Sequence, residues 1–179
     1  MPEPECRAFQ TIEPHDRRAR RSSLFALLGF VGLCLLVWAA NGAITAGSVQ
    51  GWYRTLNRPP LTPPDWLFGP VWTVLYLCIG TSAWLVWRRM DVATERKRAA
   101  LRVWGWQLLL NAAWPPVFFG LHSLPGGMVV ILALGVSILL TIRAFWPLQR
   151  AAALLLVPYL AWVCFATYLN AGFWRLNLV

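Results

Sequence analysis

Acidic residues are scarce in this chain: among 179 residues there are seven Asp and Glu, and none follows Glu95. The second half of the sequence therefore has no carboxylate pair for general acid–base chemistry and none for a proton relay. Cysteine is sparse too. Cys6, Cys34, Cys78 and Cys164 form no close pair, so the spacing supports neither a disulfide framework nor a metal site. A glycine-rich nucleotide loop is missing, as is any cluster of metal-ligating side chains. Alternation of polar and apolar residues is also absent, which argues against sheets. These absences weigh against conventional hydrolysis, phosphoryl transfer and proton-coupled pumping.

Apolar residues fill the space instead: the chain is 58% hydrophobic. Five continuous apolar runs are each long enough to cross a hydrocarbon core of about 30 Å. They lie at about 24–46, 66–87, 101–119, 127–146 and 151–173. The expected fold is an all-α integral membrane protein, a five-transmembrane-helix bundle over 24–179. Residues 1–23 form a basic tail, rich in Pro and polar residues, for which disorder is expected. Arg17-Arg18-Ala19-Arg20-Arg21 superficially resembles a twin-arginine signal. The apolar run after it is too long for a signal peptide, so an uncleaved first helix is expected.

The net charge of +9 comes from residues that flank the runs, not from a stripe suited to nucleic acid. Arg88, Arg89, Arg96, Lys97, Arg98 and Arg102 lie between the second and third runs, and Arg143 and Arg150 between the fourth and fifth. With the tail arginines they share one side of a five-span bundle. That asymmetry places the N-terminus in the cytoplasm, if the membrane is a bacterial inner membrane.

Twelve tryptophans complete the picture. Trp and Tyr usually gather at the bilayer interfaces, yet Trp72, Trp114 and Trp162 fall inside runs. Such rings are expected to face other helices, where the indole N–H finds a partner. Several pointing inward would wall a cavity for a large, flat, apolar ligand. Trp104, Gln107, Asn111 and Trp114 recur at spacings of three and four and so share a helix face. Gln107 and Asn111 are costly against lipid, so that face should point inward; interhelical hydrogen bonding is the plainer explanation. Trp72 and Tyr76 share a face of the second run, and Tyr159, Trp162, Ala166 and Leu169 a face of the fifth. Pro115 and Pro116 should end or kink the third helix, and Pro158 should kink the fifth. His122, in a short turn, offers an imidazole for haem iron, but a lone turn histidine is expected to be simply solvated.

Between the first two runs lies a stiff loop, Gly51 to Trp66, with Pro59-Pro60 and Pro63-Pro64. Paired prolines hold it extended without helix or sheet, and Asp65 approaches an N-cap. It reads equally as a lid across the bundle mouth or as a connector anchored by Trp52, Tyr53 and Trp66.

Three blocks resemble the tryptophan-rich sensory protein / mitochondrial translocator protein family, the peripheral-type benzodiazepine receptors. They are Trp52-Tyr53 … Arg58-Pro59-Pro60 … Pro63-Pro64-Asp65-Trp66-Leu67-Phe68-Gly69-Pro70-Val71-Trp72 with Tyr76; Gln107 through Asn111-Ala112-Ala113-Trp114-Pro115-Pro116 to Gly120; and Pro158-Tyr159-Leu160-Ala161-Trp162 through Asn170 to Trp174-Arg175. They extend from about Trp52 to Asn177, in the family's order. The resemblance implies a ligand cavity beneath the first loop, with Tyr53, Pro63, Trp72, Asn111, Trp114, Trp162, Ala166 and Leu169 at the matching positions. It implies porphyrin or haem as ligand, with no cofactor required, and light-dependent porphyrin breakdown in place of conventional enzyme activity. A homodimer within membrane lipid is also implied; Gly105 and Ala112, or Ala133 and Ser137, are small enough for close helix approach. The alternative is a sterol or lipid carrier. The family's cholesterol pattern is broken here, because six residues separate Tyr168 from Arg175. A third reading is a sensor acting through partners at the basic loop Arg88–Arg102, against which simple topology control is the plainer account.

Overall fold

The computed structural model describes residues 14–178, with side chains from residue 21 onward. Among these residues the chain is helical, with turns and no strand. Helix α1 runs from Pro14 to Gln50, a four-residue helix α2 from Trp52 to Thr55, and α3 from Asp65 to Trp87. Helix α4 covers Thr94–Pro115 and passes into a π-helical turn, Pro116–Gly120. Then come α5, Leu124–Phe145, the short α6, Arg150–Leu155, and α7, Val157–Leu176.

Four segments are long and apolar enough to cross a membrane: Arg21–Gln50, Asp65–Trp87, Leu124–Phe145 and Arg150–Leu176. The expected third crossing, α4, falls short on composition alone. Its first turns carry Glu95, Arg96, Lys97, Arg98 and Arg102. Even so, it is built into the bundle along Ala100, Trp104, Gln107, Leu108 and Asn111, all buried.

Several boundaries differ from the sequence expectation, each for a local reason. The tail expected over 1–23 lies outside the described residues as far as 13, but from Pro14 it is helical. Arg and Ala are good helix formers, and extending an existing helix adds one hydrogen bond per residue fixed. Asp65 is the first residue of α3, not its cap, and its carboxylate meets Arg58 at 3.4 Å. The prolines at 115–116 end α4 as an α-helix, as expected, without stopping the helical course of the chain. The helix widens, and Leu121 N–H donates to Pro116 O at 2.9 Å, the longer reach of a π turn. Ser48 of α1 donates to the Phe119 carbonyl at 2.6 Å. Pro158 breaks the last span at Leu156, because its ring excludes the carbonyl four residues back.

Packing goes round a ring. Helix α1 rests on α3 and α4, α5 on α4 and α7, and α6 closes against α3. The tightest crossing is α1 on α3, where a Cβ added to Gly80 would lie 2.7 Å from Val31 Cα. Trp84 Nε1 joins the same pair further along, donating to Ser23 O at 2.8 Å. At the basic end Arg89 donates to Gln149 at 3.2 Å, so the α3–α4 and α5–α6 connections do lie together. There Arg89 holds the Asp91 carboxyl down at about 2.

Candidate functional site

At the other end the helices splay around a cavity of about 630 Å³. Its walls come from α1, α3, α4 with the π turn, α5 and α7, and Tyr53 of α2 reaches it from the first loop. The three aromatic stripes do converge. Tyr53, Trp72, Asn111, Trp114, Trp162, Ala166 and Leu169 all line this one space. Pro63 does not: it is half-buried in the loop, outside the lining. The loop reaches the cavity through Tyr53 instead, because α2 turns that side chain inward against Phe119 and Phe173, at ring distances of 5.6 and 5.1 Å. Burial pushes the Tyr53 phenol up to about 12, so it stays a neutral hydroxyl.

The floor is a polar knot inside an apolar wall. Tyr76 O–H donates to Asn111 Oδ1, Asn111 Nδ2 donates to Tyr159 Oη at 2.6 Å, and Asn41 Nδ2 donates to Tyr76 Oη at 3.1 Å. Asn111 thus spends its oxygen and one of its N–H bonds on neighbouring helices, leaving little for a ligand. Trp104 and Gln107 share its face but sit below the cavity, packed in the core. Trp104 Nε1 donates to Ile79 O at 3.1 Å.

The indoles of Trp114 and Trp162 do not follow the expectation of polar partners, since both Nε1 atoms are buried without one. Aromatic edges and faces surround them instead. Trp114 stacks on Phe118 at 4.9 Å and meets Phe119 edge-on at 5.8 Å; Trp162 meets Phe68 edge-on at 6.0 Å. N–H···ring contacts are weak, so these residues are held by packing and not by directed bonds. Among the described lining residues Asp65 alone is charged, and Arg58 pairs with it. Such a space can hold the flat apolar face of a molecule by contact with its rings, and has little to offer a charged group placed inside it.

Sequence reasoning missed the contribution of α1. Ala39, Asn41, Gly42, Thr45, Ala46 and Val49 line the cavity together with Trp38 and Gln50. Asn41 and Thr45 were the available signal, as polar residues inside an otherwise apolar run. His122 lies outside the cavity, exposed, with its ring stacked on Trp52 at 4.4 Å. Ser137 is buried within the chain and its hydroxyl donates to Leu134 O, so it is not free for a second subunit.

The first loop is tied down on α7. Asn57 N–H donates to Asn177 Oδ1 at 2.9 Å, and Asn177 Nδ2 returns a bond to Asn57 O at 3.1 Å. Tyr168 O–H donates to Pro60 O at 3.2 Å. Between these bonds Pro59 lies on Gly172, so closely that a Cβ there would stand 2.5 Å from Pro59 Cβ. Gly172→Ala should therefore lift the loop at a cost of about 1–3 kcal/mol. Faster amide exchange over residues 52–62, with α3 and α5 unchanged, is the expected reading; exchange like wild type would refute the contact.

The TspO/MBR family model matches residues 30–175. The chain is 41% identical over 151 residues to Tryptophan-rich protein TspO of Chlorobaculum tepidum, covering 82% of this chain and 92% of that protein. It is 39% identical over 157 residues to Protein CrtK of Rhodobacter capsulatus, covering 87% and 93%. It is also 40% identical over 126 residues to the Translocator protein of Homo sapiens, covering 70% and 75%.

Proposed function

The chain belongs to the TspO/MBR family, and from that membership and the cavity we propose that it is a membrane receptor for tetrapyrroles, porphyrin or haem. The observation that carries this reading is the aromatic-walled space of about 630 Å³, lined by seven of the eight positions matched to the family's cavity. Its size is within the usual range for small-molecule sites. A flat macrocycle would lie against Trp72, Trp114 and Trp162, held by shape and ring contact. Light-dependent breakdown of bound porphyrin is part of the proposal, with these indoles as electron donors or quenchers. Among the described lining residues Asp65 is the one carboxylate, so the cavity holds no carboxylate pair for hydrolytic chemistry.

Around this core we place the finer points of architecture. Helix α4 is the fifth crossing, since its buried face is continuous with the bundle and only its first turns are charged. The basic end, with Arg88, Arg89, Lys97 and Arg150, is cytoplasmic. A homodimer would use the outer face of α4, where Gly105 meets open space beside exposed Trp106 and Leu109.

The test is quenching of tryptophan fluorescence by protoporphyrin IX, haemin and cholesterol, in the dark and then under illumination. Saturable quenching by the tetrapyrroles is expected. Trp162→Phe should keep the fold and weaken binding about threefold to tenfold, or slow photobleaching. Unchanged behaviour in both respects removes Trp162 from the site. Saturation by cholesterol alone would shift the reading to a sterol or lipid carrier. One feature favours that second reading: part of the cavity wall on α1 is exposed toward lipid.

A further inference from the structure

Helices α1 and α3 touch backbone to backbone at Val31 and Gly80, and they are still joined where Asn41 donates to Tyr76. Beyond that point α1 leans away. Its last turns go to the π turn, through Ser48 on Phe119 O and Ile44 at 4.0 Å from a Cβ placed on Gly120. The facing turns of α3 are left uncovered. Ala39, Gly42 and Ala46 on α1 and Gly69 on α3 are cavity wall and exposed surface at once. A Cβ on Gly42 or on Gly69 meets nothing within 4 Å. With open space beside both glycines, the wall between α1 and α3 has a mouth here. It runs from Ala39 to Gln50, about 16 Å along the helix axis. These residues belong to the Arg21–Gln50 segment, long and apolar enough to cross a membrane, and in that setting the mouth from Ala39 to Ala46 would face hydrocarbon.

The route under the first loop is closed by comparison. Reciprocal bonds between Asn57 and Asn177, the Tyr168–Pro60 bond and the Pro59–Gly172 contact all hold it on α7. We propose that the cavity exchanges its ligand with the bilayer, sideways between α1 and α3, while the loop stays shut. This rests on the reading that the cavity takes a flat apolar ligand. Such a molecule is already concentrated in the bilayer, and a planar ring can pass edge-on where Ala39, Gly42 and Ala46 of α1 and Gly69 of α3 leave the wall thin.

The experiment uses the full chain in phosphatidylcholine vesicles mixed with vesicles carrying protoporphyrin IX, followed by tryptophan quenching. Gly42→Leu, Ala46→Leu and Gly69→Leu together should slow both uptake and release about tenfold, so that affinity changes less than either rate. The side chains added at Gly42 and Gly69 enter open space and Leu favours helix over Gly, so folding is not the obstacle at those two positions. Gly69→Leu alone should give a smaller slowing of the same kind. Gly172→Ala, which loosens the loop, should leave the rates as they are. Unchanged rates in the triple variant, or faster uptake in Gly172→Ala, would overturn the lateral route. A second arm needs no porphyrin: phosphatidylcholine with a diazirine on its acyl chain should label Trp72 or Phe68 in the wild type and not in the triple variant. If protoporphyrin fails to bind the wild type, the receptor reading falls and labelling alone decides the mouth. Absence of label inside the cavity then refutes it.

Discussion

Gly80→Leu should separate α1 from α3 and cost at least about 3 kcal/mol, more than an ordinary overpacking substitution. The reason is what the new side chain meets. Most crowded glycines face flexible side chains that can move. A Cβ on Gly80 would meet Val31 Cα at 2.7 Å, with Phe30 O and Val31 N both at 3.0 Å. Backbone inside a helix cannot give way locally, so the whole of α1 must shift. Cys34 is the one buried residue of α1 among those described, so apart from its hydrogen bonds to Tyr76, Trp84 and the Phe119 carbonyl α1 depends on this close contact. The crossing also sets the angle at which the two helices diverge above it, and hence the width of the gap beside the cavity. Thermal unfolding in detergent should show a large loss for Gly80→Leu and a smaller one for Gly80→Ala. Gly29→Ala, on α1 where a Cβ meets nothing within 4 Å, is the control and should be neutral or slightly stabilising. Equal behaviour of Gly80→Ala and Gly29→Ala would show that the crossing relaxes without cost.

This crossing illustrates what the sequence could and could not disclose. The apolar runs were plain because lipid on one side and protein on the other demand continuous hydrophobicity, which composition reports directly. Facing stripes on α3, α4 and α7 were equally plain, since spacings of three and four fix a helix face whatever its neighbour. Composition does not record tilt. Nothing in Val31 or Gly80 taken singly says that they meet, so the lean of α1, and with it the open side of the cavity, was invisible. Proline effects were foreseen in kind. The kink expected at Pro158 falls two residues earlier, at Leu156, and α4 ends at Pro115 as expected but is continued by a widened turn that was not. At Pro158 the difference arises because a proline perturbs the turn before it, whereas after Pro115 tertiary partners such as Ser48 let the chain adapt instead of stopping. Pro63 was assigned to the cavity by resemblance, whereas the four-residue helix α2 presents Tyr53 instead.

Asn111→Leu should lower stability by about 2 kcal/mol and also disturb the cavity floor, because the Asn111 amide is already bonded between helices. Its amide is the knot between four residues. Tyr76 O–H donates to its oxygen, its N–H donates to Tyr159 Oη, and Asn41 approaches both Tyr76 and the Asn111 carbonyl. Tyr76 and Tyr159 are buried at 2% and 0% exposure, so neither hydroxyl can turn to water when the amide is removed. Each orphaned hydroxyl costs roughly 1–3 kcal/mol in a dry interior. Hydrogen bonds between membrane helices average only about 0.6 kcal/mol and reach about 1.7. The lower figure applies where the unfolded segment finds other partners, and the upper suits a closed network such as this one. Two lost bonds near the middle of that range give the expected total. Tyr159→Phe removes a single bond and should cost less. The double variant Asn111→Leu/Tyr159→Phe should be less destabilised than the sum of the two, because the second change deletes a hydroxyl that the first had already orphaned. Strict additivity would mean that the two side chains do not interact and that Asn111 is free after all. In that case its amide would again be the cavity's polar contact, and Asn111→Leu would be felt in porphyrin affinity and not in stability.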